Sequence, residues 1–137
     1  MKFKDDVVAA RYDDINPLLK TILEDGDAFS QKKYGIELTI TATVSTIQED
    51  KQLGRVSSTH RDRRAADVRT RDLPEPLIAE LCAYLRKKYA KYGAVSGNAP
   101  QLVVYKPHGT GPHLHIQLNR KYSLPYLDYK GANNAPA

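Results

Sequence analysis

Two histidines two positions apart, His113 and His115, stand in the segment GTGPHLHIQL and could act on one chemical centre. The apolar residues that alternate with them predict a β-strand, in which residues i and i+2 share a face. Their imidazoles would lie about 7 Å apart on a polar sheet face, close enough to reach the same bound centre. Imidazole binds metals and carries protons near neutral pH, so the pair suits one metal ligand beside a second ligand or a proton carrier. The alternative is an exposed strand that simply carries polar residues.

A second segment, SSTHRDRRAADVRT, could supply the rest of a metal site. His60 lies in a polar loop, and Asp67 interrupts an apolar strand, where an unpaired carboxylate would be costly. A loop histidine, a strand carboxylate and a histidine from a neighbouring strand, with water as the fourth ligand, form the donor set of a catalytic zinc site. The alternative for Asp67 is an ion pair with a nearby arginine. Cys82 is the only cysteine, which excludes an internal disulfide and a thiolate-rich zinc site.

The rest of the pattern predicts the elements that position these residues. Asn16 and Pro17 are typical of a helix start, and Gly35 of its end, with a kink or break at Gly26. The other predicted elements are a helix over 74–93 and strands over 36–45, 64–70, 101–106 and 113–119. This order indicates an α+β domain with a small, mostly antiparallel sheet and helices packed against it.

The first predicted strand alternates strictly between apolar and polar residues. We expect its buried face to carry Ile36, Leu38, Ile40, Ala42 and Val44. The polar residues between them are expected to lie on the opposite face of the sheet.

The upstream segment resembles a known zinc-site signature. Residues 58–67, STHRDRRAAD, look like the Ser-x-His-x-x-Gly-x-Ala-x-Asp signature of the zinc D-Ala-D-Ala carboxypeptidases and of phage endolysins that cut L-Ala-D-Glu bonds. That group also holds lysostaphin and the hedgehog signalling domain. The His-x-His pair resembles the second motif of the family, so the likeness covers about residues 36–120, the expected metal-site core. It implies one hedgehog-like peptidase domain over 1–129. The low-complexity segment KGANNAPA, residues 130–137, predicts a loose tail.

The resemblance also implies roles for the histidines. Zinc would be held by His60, Asp67 and His115. Relatives carry a glutamate shortly before the zinc histidine as general base, and this chain has none there. The implied catalytic base is therefore His113, with His108 as a weaker candidate.

Further expectations concern substrate binding. The resemblance implies that Ser58 contacts the substrate. Relatives place an arginine after the first strand to bind substrate or steady the oxyanion; here Arg55 is the nearest substitute, and Gln52 could serve as a donor. Arg63 stands where the signature has glycine, so the loop must bend without the backbone freedom of glycine.

The resemblance implies a zinc peptidase that cleaves peptidoglycan stem peptides, of the endolysin or carboxypeptidase type. One alternative is a non-catalytic zinc-binding domain of the same fold. Another is a basic nucleic-acid-binding module, since the net charge is +5 and five arginines fall within 61–71. Those arginines are interleaved with the metal signature, so we expect no nucleic-acid partner.

Hydropathy bounds where such a protein acts. No segment approaches the roughly 18 apolar residues of a membrane span, and the first residues lack the apolar core of a signal peptide. We therefore expect a monomer without a membrane span that is cytoplasmic as synthesised. It would reach the cell wall through a holin or as part of a virion.

Overall fold

A computed structural model describes residues 1–108 and 111–129, which form helices, one five-stranded sheet and one two-stranded sheet. In chain order the elements are β1 (Lys2–Phe3), α1 (Asp6–Tyr12), α2 (Pro17–Tyr34), β2 (Thr39–Ala42), α3 (Ile47–Gln52), β3 (Ala65–Arg69), α4 (Glu75–Tyr89), β4 (Val95–Ser96), β5 (Ala99–Pro100), β6 (Val103–Lys106) and β7 (His113–Gln117). The predicted α+β class is confirmed. The tail that was expected to be loose, 130–137, lies outside the described residues.

The longest helix, α2, begins and ends where its capping residues predict. The side chain of Asn16 accepts a hydrogen bond from the backbone N–H of Leu18 at 2.8 Å, and Pro17 occupies the first helical position. Gly35 ends the helix in the left-handed conformation, with φ of 68°. Gly26 neither breaks nor divides the helix: a Cβ atom there would lie 3.4 Å from Leu81 Cδ1, so this position lies directly against α4.

The second long helix, α4, packs against α2 and also contacts β6 of the sheet. The predicted helix over 74–93 is α4 followed by one 3-10 turn, Ala90–Tyr92. Its predicted apolar stripe is buried and comprises Leu77, Ile78, Leu81, Cys82 and Leu85. None of the helices in the described part of the chain combines the length and apolarity that crossing a membrane requires.

The five-stranded sheet is mixed, which corrects the expectation of a mostly antiparallel sheet. Its strand order is β1-β2-β3-β7-β6, and β1 pairs with β2 in parallel, whereas the other three pairings are antiparallel. The parallel pairing arises because α1 and α2 cross over between the two strands and return the chain in the same direction. A two-residue strand such as β1 has too few residues for an alternation pattern, so the sequence did not predict it.

A β-bulge in β2 changes which residues face the site. Ile40 pairs with Val68 but Ala42 pairs with Asp67, so the register shifts between Ile40 and Ala42. Cross-strand partners point to the same face, which puts Ala42 on the face of Asp67. The prediction that Ala42 shares the buried face was therefore wrong.

The two faces of the central strands have opposite characters. On one face, Ala66 and Val68 of β3 and Leu114 and Ile116 of β7 are buried in the core that α2 and α4 cover. On the other face lie the alternate residues of the same strands, which include Asp67 and both histidines of β7. Asp67, His113 and His115 therefore lie on the side of the sheet away from the two long helices.

Candidate metal centre

The centre of the polar sheet face brings Asp67 and His115 into contact. β3 and β7 are adjacent antiparallel strands, and their register sets these two residues directly opposite each other. His115 Nδ1 lies 2.8 Å from Asp67 Oδ1. The contact follows from the period-2 alternation of both strands and from their pairing in the sheet.

His60 reaches the same carboxylate from the loop before β3. A tight turn holds this loop, with hydrogen bonds from Asp62 N to Ser58 O at 2.8 Å and from Arg63 N to His60 O at 3.1 Å. His60 Nε2 lies 3.3 Å from Asp67 Oδ1. The loop histidine and the strand carboxylate are therefore brought together as the sequence predicts.

The turn places Arg63 in the left-handed conformation. Its φ is 65°, and it is the one non-glycine residue with positive φ in the described ranges. This is the position at which the resembling signature carries glycine, which adopts such a conformation readily. The Arg63 side chain anchors the turn instead, because its Nε donates to Asp14 O at 2.6 Å and its Nη1 to Pro125 O at 3.2 Å.

Hydrogen-bond directions show what His60 offers to Asp67. His60 Nδ1 lies 2.8 Å from the carbonyl oxygen of Thr43, which can only accept, so Nδ1 carries a proton. In the neutral imidazole the lone pair of Nε2 then faces the carboxylate, and two acceptors meet without a proton between them. One donor atom each from His60, Asp67 and His115 lies within 4.8 Å of the others, so the three side chains could hold a metal ion.

The cluster is buried and electrostatically coupled. His60 and Asp67 are 3% and 8% exposed. Burial on its own would raise the pKa of the Asp67 carboxyl, but when His60 and His115 are protonated their positive charge and the hydrogen bonds that they then donate outweigh burial and hold that pKa well below its usual range. Asp67 is therefore a carboxylate at neutral pH. The ion pair with an arginine that the sequence left open is not found, since the ionisable partners of Asp67 in the described chain are histidines.

His113 lies at the edge of the cluster. Its Nδ1 donates to Gly111 O at 2.6 Å, and its Nε2 lies 3.8 Å from Asp67 Oδ2. The side chain is 26% exposed, so Nε2 can receive a proton from a molecule bound at the surface of the cluster. His108 is exposed in the loop after β6, and within the described ranges no hydrogen bond or ion pair joins it to the cluster.

Two cavities lie beside the group formed by His60, Asp67 and His115. A groove of about 580 Å³ is lined by Asp67 and by the predicted substrate-binding residues Arg55 and Gln52. A second cavity of about 310 Å³ lies on the side of Thr59 and Gln117.

The predicted substrate-binding residues differ in how freely they face the groove. Gln52 is exposed on its wall. Arg55 Nη1 is 3.3 Å from Asp50 Oδ1, so its guanidinium is already engaged. Ser58 donates from its hydroxyl to Asp62 Oδ2 at 2.8 Å, which ties it to the turn. A substrate contact through Ser58 stays a prediction.

Sequence reasoning missed Arg69 as a candidate substrate-binding residue. It lies two residues after Asp67 on the same face of β3, directly opposite His113, and lines the groove. In the described part of the chain, no hydrogen bond or ion pair engages its guanidinium. The alternation Asp67-Val68-Arg69 is the signal that could have identified it.

Most other arginines of the 61–71 segment support the fold. Arg61 lies 3.6 Å from Asp50, and Arg64 Nη1 donates to the carbonyl oxygen of Leu118 at 2.8 Å. With Arg63, and with Arg71, whose Nε lies 3.8 Å from Asp72 Oδ2, four of the five guanidinium groups in this segment thus have a protein acceptor.

No protein-family model, curated protein or solved structure matches this chain.

Proposed function

We propose that the protein is a zinc-dependent peptidase that cleaves peptidoglycan stem peptides. The observation that carries the proposal is the convergence of His60, Asp67 and His115 on one point, with a fourth side chain, His113, at its open edge. Two nitrogens and one carboxylate oxygen are the donors of many catalytic zinc sites, which keep one position for water or substrate. The resemblance of the two segments to the D-Ala-D-Ala carboxypeptidase and endolysin signatures supports the choice of substrate.

In this proposal the three ligands hold zinc, which when bound acidifies a coordinated water and polarises the scissile carbonyl. His113 is the general base. Its Nε2 takes the proton of the attacking water and then gives it to the leaving amine, while its Nδ1–H stays bonded to Gly111 O. The Asp67 carboxylate, 3.8 Å from Nε2, stabilises the imidazolium that forms.

The groove supplies substrate contacts. Arg69 presents beside the cluster a guanidinium that nothing in residues 1–108 and 111–129 engages, and stem peptides carry carboxylates that a guanidinium binds in bidentate geometry. Arg55 and Gln52 line the same groove and extend the surface along which a peptide could lie. Arg69 therefore takes the substrate-binding role for which Arg55 was the sequence-based candidate.

The test begins with metal content. Wild-type protein is expected to contain about one zinc per chain after reconstitution, and His60→Ala and His115→Ala are expected to lose it. Zinc-loaded wild type is then incubated with purified peptidoglycan, and released fragments are identified by mass spectrometry. No zinc uptake by wild type overturns the proposal. Zinc uptake without fragment release favours the non-catalytic zinc domain, for which the absence of the usual glutamate base is the supporting observation.

A further inference from the structure

The side chain of Gln117 contacts Nε2 of His115, whereas the other ring nitrogen, Nδ1, faces Asp67. Gln117 lies two residues further along β7 than His115, so its side chain is on the same face of the sheet. Its amide Nε2 donates to the main-chain carbonyl oxygen of Gln101 at 2.9 Å, and its Oε1 lies 3.1 Å from His115 Nε2. The hydroxyl of Thr59 is the other polar neighbour of this nitrogen, at 3.4 Å.

The carbonyl of Gln101 fixes which way the Gln117 amide points. A flipped amide would turn its oxygen toward another carbonyl oxygen, so the hydrogen bond to Gln101 would become a contact between two acceptors. In the observed orientation Oε1 faces His115, and an amide oxygen can only accept. His115 Nε2 must therefore carry a proton, and the neutral ring presents the lone pair of Nδ1 to Asp67, 2.8 Å away.

Without Gln117 the neighbouring carboxylate would reverse this arrangement. Asp67 is an acceptor beside His115 Nδ1 and favours a proton on that nitrogen. A proton on Nδ1 would block the atom that the cluster needs as a ligand. Because Gln117 requires the proton on Nε2, it opposes the pull of Asp67.

We infer that Gln117 is a positioning residue that selects the Nε2–H tautomer of His115 and so makes Nδ1 the metal-binding atom. The inference rests on the proposed zinc site. Partners of this kind, which hydrogen-bond the far nitrogen of a ligand histidine, orient the ring and raise metal affinity. Gln117 lines the cavity of about 310 Å³ and is neither one of the three proposed zinc ligands nor the proposed base.

Zinc affinity tests the inference through competition with a chromophoric chelator. Gln117→Leu removes the acceptor and is expected to weaken zinc binding about 10- to 100-fold. Gln117→Glu keeps an acceptor for Nε2–H but loses the hydrogen bond to Gln101 O, and it is therefore expected to bind zinc more tightly than Gln117→Leu. The matched control is Gln101→Ala, which alters the same cavity but keeps the main-chain carbonyl, and its affinity is expected to be unchanged.

The tautomer is read directly from two-bond ¹H–¹⁵N spectra of the zinc-loaded wild type, a measurement that needs no variant. We expect a protonated Nε2 and a metal-bound Nδ1 for His115. A metal-bound Nε2, or equal zinc affinity in Gln117→Leu and wild type, overturns the inference while leaving the zinc site intact. Failure of wild type to bind zinc overturns both this inference and the proposed function, so the two failures are distinguishable.

Discussion

Asp25 and Asp67 each gather three side chains, yet only Asp67 lies in a site that could take a metal. Asp25, on α2, receives hydrogen bonds from Tyr84, Lys88 and Tyr89 of α4. Burial tends to raise the pKa of the Asp25 carboxyl, but the hydrogen bonds from Lys88 and the two tyrosines outweigh it and lower the pKa. Every partner is a donor, so the carboxylate is satisfied and joins the two helices.

The partners of Asp67 are histidines, whose ring nitrogens can donate or accept a hydrogen bond. Neighbouring groups decide which nitrogen of each ring carries the proton. The Nδ1–H of His60 is committed to the carbonyl of Thr43, and we infer that the Nε2–H of His115 is committed to Gln117. The ring nitrogens that remain face the carboxylate as acceptors. Each aspartate thus has three side-chain partners, but those of Asp25 donate hydrogen bonds whereas those of Asp67 present lone pairs. This difference separates a cluster that only stabilises the fold from one that could bind a metal ion.

Replacing His113 gives the largest effect that this comparison predicts. His113→Gln removes the proposed base and is expected to lower the rate of peptidoglycan fragment release about 10²- to 10⁴-fold, the usual worth of general base catalysis. Zinc content is expected to stay at the wild-type level, because His113 is not a proposed ligand. The control is His108→Gln, which changes the exposed histidine of the preceding loop. An equal loss of rate in both variants would show that His113 is not the general base.

Neutralising each aspartate in turn tests the comparison itself. Asp67→Asn is expected to weaken zinc binding by more than about 100-fold, since losing a group that merely supports a ligand already costs about 10- to 100-fold. Asp25→Asn keeps the cluster on β3 and β7 and is expected to bind zinc like wild type. Chelator competition measures both affinities. Equal affinities would mean that Asp67 is not a ligand.

Stability is expected to respond to Asp25. Asp25→Asn weakens charged hydrogen bonds between α2 and α4, and we expect the free energy of unfolding at pH 7 to fall by about 1 kcal/mol in urea titrations. The lowered pKa of Asp25 stabilises the fold fully above the ordinary value of 3.8, and this contribution is lost as the pH falls through the folded-state pKa. The difference between wild type and variant should therefore shrink below about pH 4. A difference that grows on acidification would contradict the assignment.

The smallest predicted effect concerns the turn that carries His60. Arg63→Gly and Arg63→Ala both lose the side-chain hydrogen bonds, but only glycine relieves the left-handed backbone, so Gly is expected to be about 1 kcal/mol more stable than Ala. At Arg61, where φ is not positive, the order should reverse, since glycine there adds only flexibility. Urea unfolding of the four variants compares the two positions. The same order at both would show that the turn stores no backbone strain.

Several features were predictable because local chemistry decides them. Asn16, Pro17 and Gly35 set the bounds of α2 through capping and backbone conformation. Alternation in β3 and β7 placed Asp67 and His115 on one face, and the polar segment before β3 brought His60 near them. These inferences need only the period of a strand and the length of a loop.

Other features depend on contacts that no short segment contains. The parallel strand β1 and the bulge after Ile40 are set by the register of neighbouring strands, so strict alternation misplaced Ala42. Likewise, Arg55 and Arg69 are indistinguishable as residue types. Arg55 is engaged by Asp50, whereas Arg69 has no hydrogen-bond or ion-pair partner among the residues that the structure describes, and only the folded chain shows this difference.

The direct opposition of Asp67 and His115 across β3 and β7 also has a mechanical consequence. An ion coordinated by both would join the two strands at one rung of the ladder, and His60 would tie the preceding loop to the same point. A force that slides β3 along β7 would then have to break coordination bonds as well as hydrogen bonds. The ion would cross-link the centre of the sheet, and the force needed to unfold the protein by pulling on it would rise on metal loading.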